Sequence, residues 1–240
     1  MVIEILYKDL TNIYGDIGNI KILEKNLKDA KFIYTSVKDT PYFVNNKVDM
    51  IYMGSFPDEY LDIILKSLSK YKSKLKEQIE KNVLVLFTGT AFEICGSYIE
   101  EGGIKKNTLS LFEDVYFICD KDKRHNSLFV GTFNNTKIVG NKSQFTFMYG
   151  DNKYPFITAK EGCMGMNKDS KYEGIHYKNF YGTQVLGPIL ILNPLFLKHI
   201  LKNLTNTKKI YLEDLMMEAY NNRLNEFDKP GRRYILKDHG

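Results

Sequence analysis

The 240-residue chain has little arginine, few cysteines and no long uninterrupted apolar run. Arginine stands only at Arg124, Arg223, Arg232 and Arg233, and lysine supplies the rest of a formal net charge of +5. Nucleic-acid surfaces favour clustered arginines that fork onto phosphates or read base edges, so this scattered, lysine-rich balance argues against a nucleic-acid partner. The densest lysine run, Lys66 to Lys81, is interleaved with Leu65, Leu68, Leu75 and Ile79 and reads as the solvated face of a helix. Cys95, Cys119 and Cys163 form no C-x-x-C pair, which excludes a zinc ribbon or a disulfide framework. The four histidines, His125, His176, His199 and His239, show no metal-ligand spacing; no metal or other cofactor is expected. The nearest approach to a membrane span, "VLGPILILNPLFL", is cut by Pro188 and Pro194 and falls short of the roughly 20 apolar residues required. The opening "MVIEILYKDL" has too short an apolar run for a signal peptide and carries Glu4 within it. These absences predict a cytoplasmic protein that does not insert into membranes.

What is present is 43% hydrophobic, enough for one substantial core, and residues 1–240 read as a single domain. The first hundred residues alternate between strand and helix signals. "VIEILY", "KFIYTSV" and "VDMIYMG" read as strands. "GDIGNIKILEKNLKDA" reads as a helix with Ile17, Ile20, Leu23 and Leu27 on one face. "PDEYLDIILKSLSKYKSKLKEQIEK" reads as one long amphipathic helix with proline near its first turn. Such alternation predicts a parallel sheet with helices on both faces. Ligands of such sheets sit beyond the carboxyl ends of the strands, here the loops Thr11 to Asn19, Gly54 to Asp58 and Thr88 to Thr90. After about residue 105 short β-rich pieces follow, "DVYFICD", "SLFVGTF", "TKIVG", "FTFMYG" and "PFITAKEG", which predict an antiparallel extension. Two helices, "LFLKHILKNL" and "LEDLMMEAYNNRLNEF", and a polar, frayed end, "DKPGRRYILKDHG", complete the chain.

The stretch "VLVLFTGTAFEICG", residues 83 to 96, carries the sharpest functional signal. Val83 to Phe87 is a buried strand, and Ala91, Phe92, Ile94 and Cys95 resume at helical spacing after Thr88-Gly89-Thr90. A strand that turns sharply into a helix is where many α/β enzymes expose a nucleophile beside amides that stabilise an oxyanion. The tip of this turn, Gly89, has no side chain.

Four segments together resemble the class I glutamine amidotransferase domains of the cobyric acid synthase type, and among them the glutaminase-like GatD subunits. "IYGDIGNI" (Ile13 to Ile20) resembles the opening Y-G-D-x-G-N signature. "YMGSFPDEY" stands in place of a G-G-G-Q-D-x-x-Q loop, keeping Gly54 and Asp58. "EGIHYKNFYGTQVLGPILILNP" (Glu173 to Pro194) is similar to E-G-x-x-Y-K-N-x-x-G-T-Y-L-H-G-P-L-L-x-x-N-P. "GNKSQ" (Gly140 to Gln144) stands for a G-F-E-N-H-like segment. The resemblance implies a flavodoxin-like α/β fold and a heterodimeric partner, a MurT-like Mur ligase homologue, in cell-wall amidation chemistry. It also implies that the nucleophilic cysteine of C-G-G-Y-Q-L-L-G falls on Gly89 and the histidine base of Y-L-H-G-P on Leu186. Glutaminase chemistry needs a thiolate to form the thioester and a base to serve both steps; losing such a pair removes on the order of 10⁶ in rate by analogy with hydrolase triads. The expectation is therefore a binding or regulatory subunit without catalytic residues.

Each candidate has a structural reading beside the functional one. Tyr14, Gly15, Asp16 and Asn19 form a pocket wall or partner-contact loop, or Asp16 simply caps the following helix. Thr88 and Thr90 could donate to a ligand, or Thr90 caps its helix, whose N-terminus would then also attract an anion. Glu93, where the family has glutamine, contacts a ligand or rests in the favourable field of the helix dipole. With Gly54, Gly89, Gln184 and Leu186 these residues make up the expected site for glutamine or another small ligand. Cys95 reads as core, almost two turns into its helix; Cys119 reads as structural, and Cys163, in a glycine-bearing loop, is the best placed of the three to react, though it too is not expected to. His199 is placed on a helix surface. Two alternatives stay open: a working amidotransferase with a different nucleophile, and a stand-alone sensor of a small amino acid or anion.

Overall fold

A computed structural model describes residues 1–206 and 209–236; His239 lies outside them. The chain begins β1 (Val2–Leu6), α1 (Ile17–Asn26), β2 (Lys31–Thr35), β3 (Met50–Met53), α2 (Leu61–Leu68), α3 (Lys72–Glu80), β4 (Leu84–Thr88) and α4 (Thr90–Glu93). A middle section follows, with β5 (Tyr98–Glu101), β6 (Ile104–Asn107), β7 (Val115–Cys119), β8 (His125–Phe133), β9 (Thr136–Gln144), β10 (Thr146–Gly150) and β11 (Pro155–Ala159). It ends with β12 (Tyr172–Tyr177), β13 (Phe180–Thr183), α5 (Ile189–Leu192), α6 (Pro194–Lys202), α7 (Glu213–Phe227) and β14 (Ile235–Leu236).

The central sheet runs β2-β1-β3-β4-β13 with every pairing parallel, then continues antiparallel through β12, β11, β8 and β14, with β9 also paired to β8. This is the flavodoxin-like strand order of a doubly wound sheet. Strand alternation divides the core between its faces. Ile3, Ile5, Met50, Tyr52, Leu84 and Leu86 pack with Ile20 and Leu23 of α1 and with α6. Ile51, Met53, Val85 and Phe87 pack with Ile64, Leu65 and Leu68 of α2 and Leu75 and Ile79 of α3. Val85, Leu86 and Phe87 are wholly buried, each worth about 1.5–3 kcal/mol in transfer terms. Because α1 and α2 leave β1 and β3 on opposite faces, the loops after these neighbouring strands splay apart. A cleft opens there, beyond the strand ends, as such a topological switch point requires.

A second sheet, β10-β7-β5-β6, caps the α4 end of the first, with Phe117 edge-on to Phe92 at 5.5 Å between ring centres. Its β5–β6 hairpin begins before residue 105, where the sequence reading still expected the βα pattern. The long helix expected from Pro57 to Lys81 is two helices, separated by the 3-10 turn Ser69–Tyr71, which buries no side chain. Leu68 and Leu75, on either side of the break, both pack into the core on this face. Of the end expected to fray, residues 228–236 are folded onto the domain, and 237–240 lie outside the described residues. Tyr234 is buried and donates its hydroxyl to Phe227 O at 2.8 Å, and β14 pairs with β8.

Candidate functional site at the strand-to-helix elbow

Gly89 turns β4 into α4 with φ +56° and ψ −128°. A side chain there is strained, and glycine adopts the conformation freely. Space is equally decisive. A Cβ built on Gly89 would lie 2.3 Å from Ser55 Oγ, 2.7 Å from Ser55 Cβ and 3.1 Å from Leu186 Cδ2. The Ser55 side chain thus fills the volume that a nucleophile's first carbon would need. In the G-G-G-Q-D loop that "GSFPD" resembles, the residues after the first glycine are also glycines; here they are Ser55 and Phe56.

The same serine answers the elbow's backbone. Ser55 Oγ accepts from Thr90 N–H at 3.3 Å, the amide that would face an oxyanion in an acyl-transfer elbow. Gly89 N–H donates to Thr183 O at 2.8 Å. Leu186, where the family's base would stand, is tied to β9 through its N–H to Asn141 O at 2.8 Å and lies almost fully buried against the elbow. Thr90 does not cap α4. Gly89 is the N-cap, and the Thr90 hydroxyl instead accepts from Phe56 N–H (2.6 Å) and donates to Phe56 O (2.7 Å), locking the 55–57 loop to the elbow. α4 is only four residues long and its first amide, Thr90 N–H, is taken by Ser55 Oγ, which weakens the anion site expected at this helix start.

Beneath the elbow lies a closed polar bracket. Asp16 stands at the N-cap position of α1 without a capping bond; its carboxylate reaches across the strand ends to accept from Ser55 N–H (2.5 Å) and Thr88 Oγ1 (2.8 Å). The α1 start is served instead by Asn12, whose Oδ1 accepts from Ile17 N–H at 3.0 Å. Burial pushes the Asp16 carboxyl up to about 6, against the opposing pull of these bonds. Asn19 donates to Asp16 Oδ1 and Tyr52 Oη and accepts from Leu190 N–H at 2.9 Å, joining α1 to α5. Gly54 must be bare because a Cβ would meet Thr11 O at 2.5 Å. Asp16, Asn19, Gly54 and Thr88 therefore support the loops from below, and Gly15 lies at the surface beside Pro188.

Above them Tyr14, Ser55, Asp58, Gly89, Thr90, Glu93, Gln144, Gln184 and Leu186 share a crevice of about 240 Å³. Of the expected site residues it gathers Tyr14, Gly89, Thr90, Glu93, Gln184 and Leu186. Glu93 is not the carboxylate favoured by the helix dipole that one of its two readings expects: it is almost fully buried, and burial, reinforced by Asp58, pushes it up to about 8. A short α4 with occupied amides cannot offset that desolvation. Gln184 Nε2 donates to Glu93 Oε1 (2.9 Å) and to Thr146 O (2.8 Å). Gln144 Nε2 donates to the same carbonyl (2.8 Å) and to Gln184 Oε1 (3.3 Å). The relay ends at Gln144 Oε1, which is buried and has no partner. Ser55, Gln144 and Asp58 were not picked out as site residues by the sequence reading. The signal for Ser55 was available: a side chain gained in one loop opposite one missing from the other.

The remaining candidates lie elsewhere. Cys95 is wholly buried in the turn after α4, not within a longer helix, and burial drives its thiol well above the ordinary range. Cys119 is closer to the site than expected: it lines an adjoining hollow shared with Thr90, Glu93 and Thr146. Burial, then Glu101, Asp58 and Glu93, raise its pKa and hold it as the thiol. Cys163 is half-buried beside Lys160 with its pKa likewise raised by burial. His199 is not a surface residue. Its Nε2 meets Tyr181 Oη at 2.8 Å among Phe133 and Phe196, and burial lowers its pKa. His176 stacks on Tyr181 with ring centres 4.5 Å apart. Among the described residues no group of three His, Cys, Asp or Glu side chains could hold a metal ion, and no helix is long and apolar enough to cross a membrane.

No family model matches the chain. It is 30% identical over 233 residues to the GatD subunit of the glutamine-hydrolyzing lipid II isoglutaminyl synthase of Streptococcus pneumoniae, covering 92% of this chain and 86% of that protein. The chain belongs to the GatD family. A second GatD, from Staphylococcus aureus, is 28% identical over 208 residues, covering 85% of this chain and 84% of its relative. The fold agrees: a glutamine amidotransferase of Thermotoga maritima superposes with a TM-score of 0.53 at 10% identity, over 94% of this chain and 92% of the other. The expected class I amidotransferase fold is thus present, with Gly89 at the tip of the turn between β4 and α4.

Proposed function

We propose that this GatD-family chain does not hydrolyse glutamine and acts as a binding or regulatory subunit of a MurT-like Mur ligase homologue in cell-wall amidation, in the cytoplasm. The observation that carries this is the Ser55 side chain at the place of a Gly89 Cβ. A thiol is missing, and the space and the amide that would serve one are taken by a neighbouring residue. Leu186 can neither accept nor return a proton, so both steps of a thioester cycle lack their base. A partner is supported by the GatD relatives, each named as a subunit of a glutamine-hydrolyzing lipid II isoglutaminyl synthase; its Mur-ligase class rests on the family resemblance alone.

The test has two arms. Purified chain, alone and mixed with a Mur-ligase-like partner, should release no ammonia from glutamine above background, and a glutamine-mimicking electrophile should label none of the three cysteines stoichiometrically. Steady ammonia release, or labelling of Cys119 or Cys163 that abolishes it, defeats the non-hydrolytic reading. Co-purification with such a ligase supports the subunit role, and a chain that binds no ligase defeats it.

A further inference from the structure

Helix α7 carries more apolar surface than the fold covers. Met216, Tyr220 and Phe227 are its buried face. A second stripe starts at the N-cap and recurs at helical spacing as Leu212, Leu215 and Ala219. It stays open, with Leu212 53% and Leu215 60% exposed. Leu212 also holds a left-handed backbone, φ +54° and ψ 35°. A leucine adopts that conformation only at a cost, and so exposed a side chain gains little packing within the chain to offset it. The stripe borders a groove of about 380 Å³, whose lining is completed by Ile22 of α1, Ile191 and Leu192 of α5, Met216 and Tyr211.

The charge around this groove has one sign. Lys21, Lys25 and Arg223 line it, and among the described residues that do so none is acidic. Lys21 meets Glu24 at 3.3 Å in an exposed pair that holds it weakly. The Lys25 ammonium lies 5.9 Å from the centre of the Tyr211 ring. Arg223 is half-buried and pairs with no carboxylate among the described residues. An apolar trough walled by helices takes a further helix, whose ridges enter it, and a basic border selects acidic residues beside that helix's apolar face. We infer that this groove docks an amphipathic helix of a partner polypeptide, with aspartate or glutamate set along its edge against Lys21, Lys25 and Arg223. A second copy of this chain is disfavoured, because a two-fold interface would set these three cations against themselves. The inference supplies the surface that the proposed subunit role needs and rests on that reading only for who the partner is.

The probe is a fluorescent peptide of about 18 residues, long enough to form a helix on binding, with leucines at i, i+3, i+4 and i+7 spacing and glutamates beside them. One control carries lysines in place of the glutamates, and another carries serines in place of the leucines. Titrated with the full chain and read by anisotropy, the glutamate peptide should bind saturably and about tenfold tighter than the lysine peptide, a preference that shrinks as salt screens the border. The serine peptide should not bind. Leu215→Glu, at an exposed position where the fold is not at stake, should abolish binding. Arg223→Glu should weaken the glutamate peptide about tenfold and strengthen the lysine peptide. A glutamate peptide that does not saturate, two charged peptides that bind alike, or a Leu215→Glu chain, folded by circular dichroism, that binds like the parent would each overturn the inference. So would a dimer of the parent in sedimentation that Leu215→Glu dissolves. Association with a Mur-ligase-like protein is read separately. A ligase held equally by the parent and by Leu215→Glu defeats the groove and leaves the subunit role, whereas peptide binding without any ligase association supports the groove and defeats the subunit role.

Discussion

Two buried polar clusters, side by side, differ in completeness. Under the β12–β13 hairpin, Lys142 Nζ donates to Glu173 Oε2 and to Gly165 O, each at 2.5 Å, with neither side chain of the ion pair exposed. Glu173 Oε1 accepts from Thr183 Oγ1 and from Gln184 N–H, both at 2.8 Å. In the crevice, the relay from Glu93 through Gln184 stops at an unanswered oxygen on Gln144. Gln184 belongs to both: its backbone is held by the closed cluster and its side chain is offered to the open one. The lesson is a division of labour, in which a satisfied ion pair fixes the backbone of a residue whose side chain carries a second, incomplete network.

The contrast is broken most severely from the closed side. Lys142→Met leaves Glu173 as a buried, unpaired carboxylate, and urea unfolding should show a loss of about 3–5 kcal/mol. A loss under about 1 kcal/mol would mean that the pair does not organise the hairpin. The elbow gives the next largest effect. Gly89→Ala should cost about 3 kcal/mol, from left-handed strain and from collision with Ser55. In a Ser55→Gly background only the strain should remain, so the double-mutant cycle should show a coupling of about 1–2 kcal/mol; additive costs would contradict the idea that the serine occupies the missing side chain's place.

The smallest effect sharpens the open side through pH. Burial raises Asp16 to about 6 and Glu93 to about 8, whereas the unfolded chain releases these protons near pH 4. The native state then holds more protons across that window, so stability is full below about pH 4 and declines as pH rises through both native values. Glu93 borders an open crevice, which screens the charge, so its share should be on the order of 2 kcal/mol rather than the full linkage value. Glu93→Gln should end the decline near pH 6, as read from denaturant midpoints between pH 5 and pH 9. An unchanged profile would show that Glu93 ionises freely in the folded protein.

Much of this was legible in the residues. Apolar runs such as Leu84 to Phe87 and the spacing of Ile20 and Leu23 fix strand and helix because hydrophobic period follows backbone geometry. The family motifs put Gly89 and Leu186 together across about a hundred residues, and the folded chain does so. What was not legible depended on partners distant in sequence. Thr90 and Asp16 sit where hydroxyls and carboxylates usually cap helices, yet both turn to loops that a local reading cannot bring alongside. The burial of Glu93 beside Gln184 and Thr146 leaves no local trace in the sequence. The break at Ser69 has no proline or glycine to announce it. His199 reads as a surface histidine until Phe133 and Tyr181 arrive from other strands.

The serine lodged against Gly89 has a consequence for how this chain could change. Restoring a sulfur at the turn would first require emptying that lodging, and a proton acceptor would still have to replace Leu186. The first substitution alone brings no new reactivity, and the second alone meets an occupied seat. Any side chain placed at Gly89 must therefore displace Ser55, so the two positions are coupled in how they can change.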